Sequence, residues 1–344
     1  MANRCLGLIL AAMAAVTGSG DDRIRVVLDA SEADRVLSIV AAHRDGEAVA
    51  EADWQVLFGT EPYRRLKQRE ASMRRAFSDE EFKAFVTSDQ LAGRREVLES
   101  LVADWKRADL VAAARRVLAY LPEAAVIHAK VFPVIKPRDN SFVFDVDADP
   151  TIFLAVNEKM TADRFVSTVA HEAHHIGLAS TNKQYEARVA TLPAHAKKAA
   201  MWMGAFGEGL AMLAAAGGPE VLPTAPEGPL EQANWSAGMA NLDEQFAELE
   251  AFFTQVVDGK LEGEAGDRKA AEFFGEIRGP WYFVGYHMAV TIERRFGRAA
   301  LIECMLDYRQ LLVKYNEAAA AMNKTGSVRL PVWSAAVISA VNGR

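Results

Sequence analysis

Cysteine is scarce in this chain: two residues, Cys5 and Cys304, stand in a sequence of 344. Cys5 falls in an apolar leader, so a mature chain keeps Cys304 alone. One thiol makes no intramolecular disulfide, and the fold must rest on its core. Cys304 sits in an apolar helical pattern, Ala300 to Leu306, and reads as a small buried hydrophobe rather than a nucleophile. Positive charge is also short, with 39 Lys and Arg against 46 Asp and Glu and a net charge of -7. The local basic cluster from Arg64 to Arg69 is diluted by acidic neighbours and reads as a solvated helix face. A nucleic-acid surface needs clustered cations, so no nucleic-acid partner is expected. After residue 20 no uninterrupted apolar run reaches the roughly 18 residues of a membrane span, and no stable membrane insertion is expected.

What is present begins with the leader. Arg4 supplies a short positive region, Cys5 to Val16 is apolar, and Thr17 to Gly20 offers small residues for cleavage. Residues 1–20 therefore read as a signal peptide, which predicts a periplasmic or secreted protein. The competing reading is an ordinary buried N-terminal helix.

The remainder, residues 21–344, reads as one catalytic domain in two parts. Residues 21–120 are helical in pattern, with apolar positions recurring at three and four. One helix starts near Ser31, with Glu32 and Asp34 in a first turn that suits the helix dipole. Ser78-Asp79-Glu80-Glu81 is a capping box. Trp54, Leu57, Phe58, Tyr63 and Leu66 form an aromatic cluster that reads as core. From residue 121 the pattern changes. Ala125 to Ile135, Asn140 to Asp147 and Thr151 to Val156 read as three strands of a small sheet. His128, in the first of them, reads as a surface residue. The fold class is thus mainly α with a small β-sheet. Asn182 to Lys198 reads as a connection, and helix returns from Ala199 to Leu213. Gly217 to Pro229 is a proline-rich loop long enough for a rim or lid. Further helices are expected over Asn241 to Val257, Trp281 to Phe296 and Arg298 to Tyr315, with a docked apolar tail from Val328 to Val341. No internal repeat is present.

Three of the seven histidines fall in Ala170-His171-Glu172-Ala173-His174-His175, an H-E-x-x-H pattern in a helical stretch. His171 and His175 are four residues apart, so they project from one helix face and can meet one tetrahedral metal. His175 sits about 40° from His171, on the side of Glu172, and His174 about 60° away on the other side. His171 and His175 are therefore the expected ligands, and His174 is assigned to packing or an outer hydrogen bond. Glu172, about 100° round the helix, is placed to touch a water on the metal. A catalytic zinc (Zn2+) needs a third ligand and one open position. Glu208 is the expected third ligand: a carboxylate in an apolar helix is costly to bury unless paired or bound to metal. Gly204, Gly207 and Gly209 would let that helix approach the motif helix closely. His195 is the alternative, but its surroundings look like an exposed helix start. The expected chemistry is hydrolysis by a zinc-activated water, with Glu172 as general base. A developing oxyanion needs a further donor. Tyr286 is the candidate, with Tyr282 and His287 behind it.

These residues carry a resemblance. The chain resembles the glutamate-ligand branch of the zincins, the gluzincins. More closely it resembles a bacterial family of zinc-dependent peptidases carried as a domain of unknown function. The stretches concerned are Asp53 to Phe58, Asn140 to Phe144, His171 to Gly177, Gly207 to Ala211 and Gly285 to Ala289. The resemblance implies a zincin-like catalytic core with added helices, zinc on His171, His175 and Glu208, and Glu172 as base. Thermolysin-like enzymes place their third ligand in an Asn-Glu pair nearer the motif; here the gap is longer and Gly207 precedes Glu208. The leading reading is an exported zinc metallopeptidase acting on peptides or proteins. An extended substrate would pair with the strand near Asn140 to Phe144. The alternatives are a zinc amidohydrolase on a non-peptide substrate and a protein that holds metal without turnover. The last would need a fourth protein ligand, such as His174 or His287.

Overall fold

The computed structural model describes residues 21–325 and 329–342. The leader expected at residues 1–20, Cys5 included, lies outside the described residues. The chain is mainly helical, with one small mixed sheet of four strands.

The strands are β1 (Ile24–Leu28), β2 (Ile127–Val134), β3 (Phe142–Phe144) and β4 (Thr151–Ala155), in the order β1-β2-β4-β3. β2 pairs in parallel with β1 and β4, and β3 runs antiparallel to β4 at the edge. β4 is buried along its whole length and β2 nearly so, which matches their continuous apolar sequences. β1 corrects the expectation of helix alone before residue 120. Its five residues are too few to show a period, and its partner β2 lies about a hundred residues further on.

The N-terminal helices behave as their sequences dictate. Ser31–Arg44 is a helix, and Ser78 and Glu81 form the capping box that opens Asp79–Val86. Trp54, Leu57, Tyr63 and Leu66 are buried as expected. Glu32 is fully buried rather than solvated; Ile135 N–H donates to it at 3.0 Å, and burial pushes its carboxyl up to about 8.

Two other expectations need correction. The stretch read as a connection holds two helices, Lys183–Ala190 and Ala194–Met203. The helix expected over Arg298 to Tyr315 is broken into Arg298–Met305 and Arg309–Asn323, with Asp307 taken up by an ion pair to Arg309 at 2.5 Å. By length and composition, Ala196–Ala216 does reach the span of a membrane helix, with 67% of its apolar window buried inside the protein.

The motif helix, Ala162–Ala179, is wedged between two cores. Phe165, Val169 and Ile176 pack with the sheet and the N-terminal helices; Ala170 and Ala173 pack with the C-terminal helices. Thr161 caps its start, accepting from Arg164 N–H at 3.3 Å. Phe165 stacks on Trp105 at 4.3 Å. Two buried sides leave one stripe free, and that stripe carries His171, Glu172 and His175.

The helix bearing Glu208, Gly207–Ala216, makes its closest glycine contact with Pro280–Phe296 rather than with the motif helix. A Cβ on Gly209 would lie 2.0 Å from Tyr286 N and 2.6 Å from Tyr282 O. Gly204 meets nothing within 4 Å, so it plays no part in this approach. Because the clash at Gly209 is with backbone, relief requires the two helices to part. Gly209→Ala is expected to lower the unfolding temperature by roughly 2–5 °C. An unchanged thermal transition would contradict the close crossing.

Candidate metal centre and its cleft

The structure brings His171, His175 and Glu208 together: one possible ligand atom from each lies within 4.8 Å of the others. Glu208 Oε2 is 3.1 Å from His171 Nε2 and 3.4 Å from His175 Nε2, and the two Nε2 atoms are 3.1 Å apart. Bonds of about 2.0–2.1 Å at a tetrahedral angle put donor atoms about 3.3–3.4 Å apart. The three observed separations lie close to that edge length. Two imidazoles and a carboxylate are also a donor set that zinc takes, so the residues present fit the ion.

All three side chains are partly exposed, and His171 lines a cleft of about 660 Å³. Among the described residues no fourth His, Cys, Asp or Glu joins the cluster. His174 is fully buried, its ring 6.2 Å from that of His175 and outside the cluster. Burial holds its imidazole well below the usual range. His287 packs against Phe246 and Tyr315, its Nε2 buried without a partner, and burial pushes it down to about 4. His195 lies in the first turn of Ala194–Met203, and its side chain falls outside the described residues. His128 is exposed on β2.

Tyr286 is not brought to the site. Its ring packs edge-on to Trp235 at 5.0 Å, and the charges that act on its phenol are Arg294, Glu220 and Glu293, none of them in the cluster. One turn earlier, Tyr282 does line the cleft. Its ring lies nearly parallel to that of His171, 6.4 Å away, and its phenol faces the Glu208 carboxylate. Burial and that carboxylate hold the phenol far above its usual range, so it stays a proton donor. Tyr282 and Tyr286 share a face by spacing alone; the depth at which Gly209 meets this helix decides which one reaches the cluster.

The cleft wall contains residues that sequence reasoning missed. Arg278 grips Glu227 with two hydrogen bonds of 2.8 and 2.5 Å, and both side chains are nearly buried. This pair ties the proline-rich loop, read as a rim or lid, to the start of the tyrosine helix. Arg164 pairs with Glu231 at 2.9 Å and ties the next helix to the motif helix. Ser141 and Asn157 complete the wall beside β3. Single charged residues on helices carry no sequence signal of such pairing.

In the metal-free cluster a proton is held tightly. Burial opposes charge on His175, but the Glu208 carboxylate outweighs burial and pushes the imidazole up to about 9. Glu208 is held well below its usual range: burial works against its charge, and the two histidines overcome it. Zinc takes the neutral imidazole, so binding must expel this proton. Zinc affinity is therefore expected to rise about tenfold per pH unit between about pH 6 and 8, and to level off above about 9. Titration against a chelator calibrated at each pH measures the slope; a flat response would contradict the coupling.

A helix carrying two histidines one turn apart, met by a glutamate from a neighbouring helix beside a mixed sheet, offers zinc two imidazoles and a carboxylate. Comparison with known families agrees. The family model described as "Putative zinc dependent peptidase (DUF5700)" matches residues 54–324. That is more than half of the chain, and the chain belongs to this family. No curated protein and no solved structure matches the chain.

Proposed function

We propose that the chain is a zinc metallopeptidase in which His171, His175 and Glu208 hold the metal and Glu172 is the general base. The observation that carries this reading is the near-equal spacing of the three donor atoms, 3.1, 3.4 and 3.1 Å, at the wall of an open cleft. Bound there, zinc supplies Lewis acidity: it polarises a carbonyl and brings the pKa of a coordinated water towards about 7.

The chain's own residues do the rest. Glu172 follows His171 on the helix, lines the cleft and lies within electrostatic reach of His175 and Tyr282. Its carboxylate takes the proton of the attacking water and returns it to the leaving amine. The Tyr282 hydroxyl donates to the oxygen on which charge develops. β3 pairs with β4 on one side only, and Ser141, just before it, lines the cleft. An extended peptide can add to its free edge by main-chain hydrogen bonds. Export belongs to the same reading: cells should yield a chain starting near Asp21, which N-terminal sequencing reads directly.

Tyr282→Phe and Tyr286→Phe test the assignment side by side on a peptide library read by mass spectrometry. Loss of one oxyanion donor lowers kcat by about 10²–10³. Tyr282→Phe should show that loss with zinc retained, and Tyr286→Phe should leave turnover near wild type. The reverse order would return the role to Tyr286. No cleavage by zinc-loaded wild type would sink the peptidase reading.

A further inference from the structure

We propose a second binding site, for a phosphate or carboxylate oxyanion, in a cavity beside the connector that follows β2. The cavity, about 300 Å³, opens between the C-terminal end of the helix Glu61–Ser72 and residues 136–138. Arg74, Arg75, Lys136 and Arg138 line it, against a single carboxylate, Glu70. Glu70 is already engaged, accepting from Arg69 Nη1 at 2.7 Å and from Arg75 Nε at 2.9 Å. The cations therefore outnumber the anions available to them.

Three further observations point to a ligand rather than to a solvated basic face. First, Nη2 of Arg75 is buried with no hydrogen-bond partner among the described residues. A buried donor on a charged group is costly unless something accepts from it. Second, among the described residues Lys136 Nζ donates to neutral oxygens alone, the Arg138 carbonyl and Asn140 Oδ1. Burial pushes this amine down to about 8; Glu70 and Asp139 oppose the shift, and Arg69 and Arg138 add to it. Third, Arg74 has a φ of 55°, in the left-handed region.

Arg74 closes the helix: its N–H donates to Ala71 O at 3.0 Å, and Arg75 N–H to Glu70 O at 2.8 Å. Glycine is the default for that conformation, because a Cβ is strained there. A cation near a helix C-terminus suits the dipole, but the dipole does not require a left-handed arginine. Arg74 and Arg138 make no ion pair among the described residues. Guanidinium forks and an ammonium lining one small cavity suit an oxyanion with two or three acceptor oxygens. The connector runs on to Asp139 and Ser141 in the wall of the cleft, so one stretch of chain borders both cavities.

The test is calorimetric titration of the zinc-loaded full chain at fixed ionic strength. Inorganic phosphate is used in one arm and succinate in the other, and the arms separate a phosphate from a carboxylate ligand. Saturable binding of at least one is expected. Arg74→Gly suits the backbone and Arg138→Gln alters an exposed side chain, so both variants should fold. The double variant should bind at least about tenfold more weakly, with zinc content unchanged, since it loses two charge-assisted contacts. Arg138→Gln alone should fall between them. The proposal is overturned if neither anion saturates the wild type, or if the double variant binds as tightly as wild type. Binding at the zinc centre would give that second result. The readout is binding, so it does not depend on the peptidase reading.

Discussion

Glu208→Ala is expected to weaken zinc binding by more than about a hundredfold, the upper range for losing even an outer partner of a ligand. Glu208 is the only carboxylate in the three-residue cluster, so among the described residues nothing replaces it. The substitution also takes the counter-charge from His175, whose raised pKa then collapses towards the value burial favours. Its effect on the metal-free protein has a definite sign. A histidine held above its unfolded pKa of about 6.5 adds stability below that pH, and the gain is lost as pH rises through the folded value of about 9. Removal of Glu208 therefore destabilises the metal-free protein below about pH 9 and has little effect above it. Zinc content by atomic absorption and unfolding across pH 6–10 check both statements. Full zinc occupancy in this variant would contradict the ligand assignment.

Glu172→Gln is expected to lower kcat by about 10²–10⁴ while zinc content stays at the wild-type level. Gln keeps the size of the side chain and a hydrogen-bonding oxygen but cannot take up and return a proton. Glu172 stands outside the three-residue cluster, so its change leaves the donor set intact. The lost interaction belongs to the transition state, so kcat and kcat/KM should fall together. Steady-state kinetics on any peptide the wild type cleaves, with zinc measured on the same sample, separates base from ligand. Loss of zinc in Glu172→Gln would make Glu172 part of the metal site instead.

Much of this centre was legible before any coordinates. The meeting of His171 with His175 needed only the helical repeat, because side chains four residues apart on one helix share a face. Glu208 was legible from chemistry: a carboxylate in an apolar helix must find a partner. What its glycines serve was not, because Gly209 closes on Tyr286, Gly285 and Tyr282 of the neighbouring helix rather than on the motif helix. Choosing Tyr282 over Tyr286 needs that crossing depth, a tertiary quantity with no local signature. β1 was hidden for a related reason, since a five-residue run gains its identity only from a partner far along the chain. The walls of the cleft, Arg278 with Glu227 and Arg164 with Glu231, depend on pairings between distant helices. The strands before the motif were readable because their apolar runs are long and bounded by prolines.

The most direct measurement is zinc-edge X-ray absorption on the zinc-loaded wild type. It should report four light-atom donors near 2.0–2.1 Å, with the multiple-scattering signature of two imidazoles and with oxygen in the other positions. Three or more imidazoles, or a sulfur donor near 2.3 Å, would contradict a centre built from His171, His175 and Glu208.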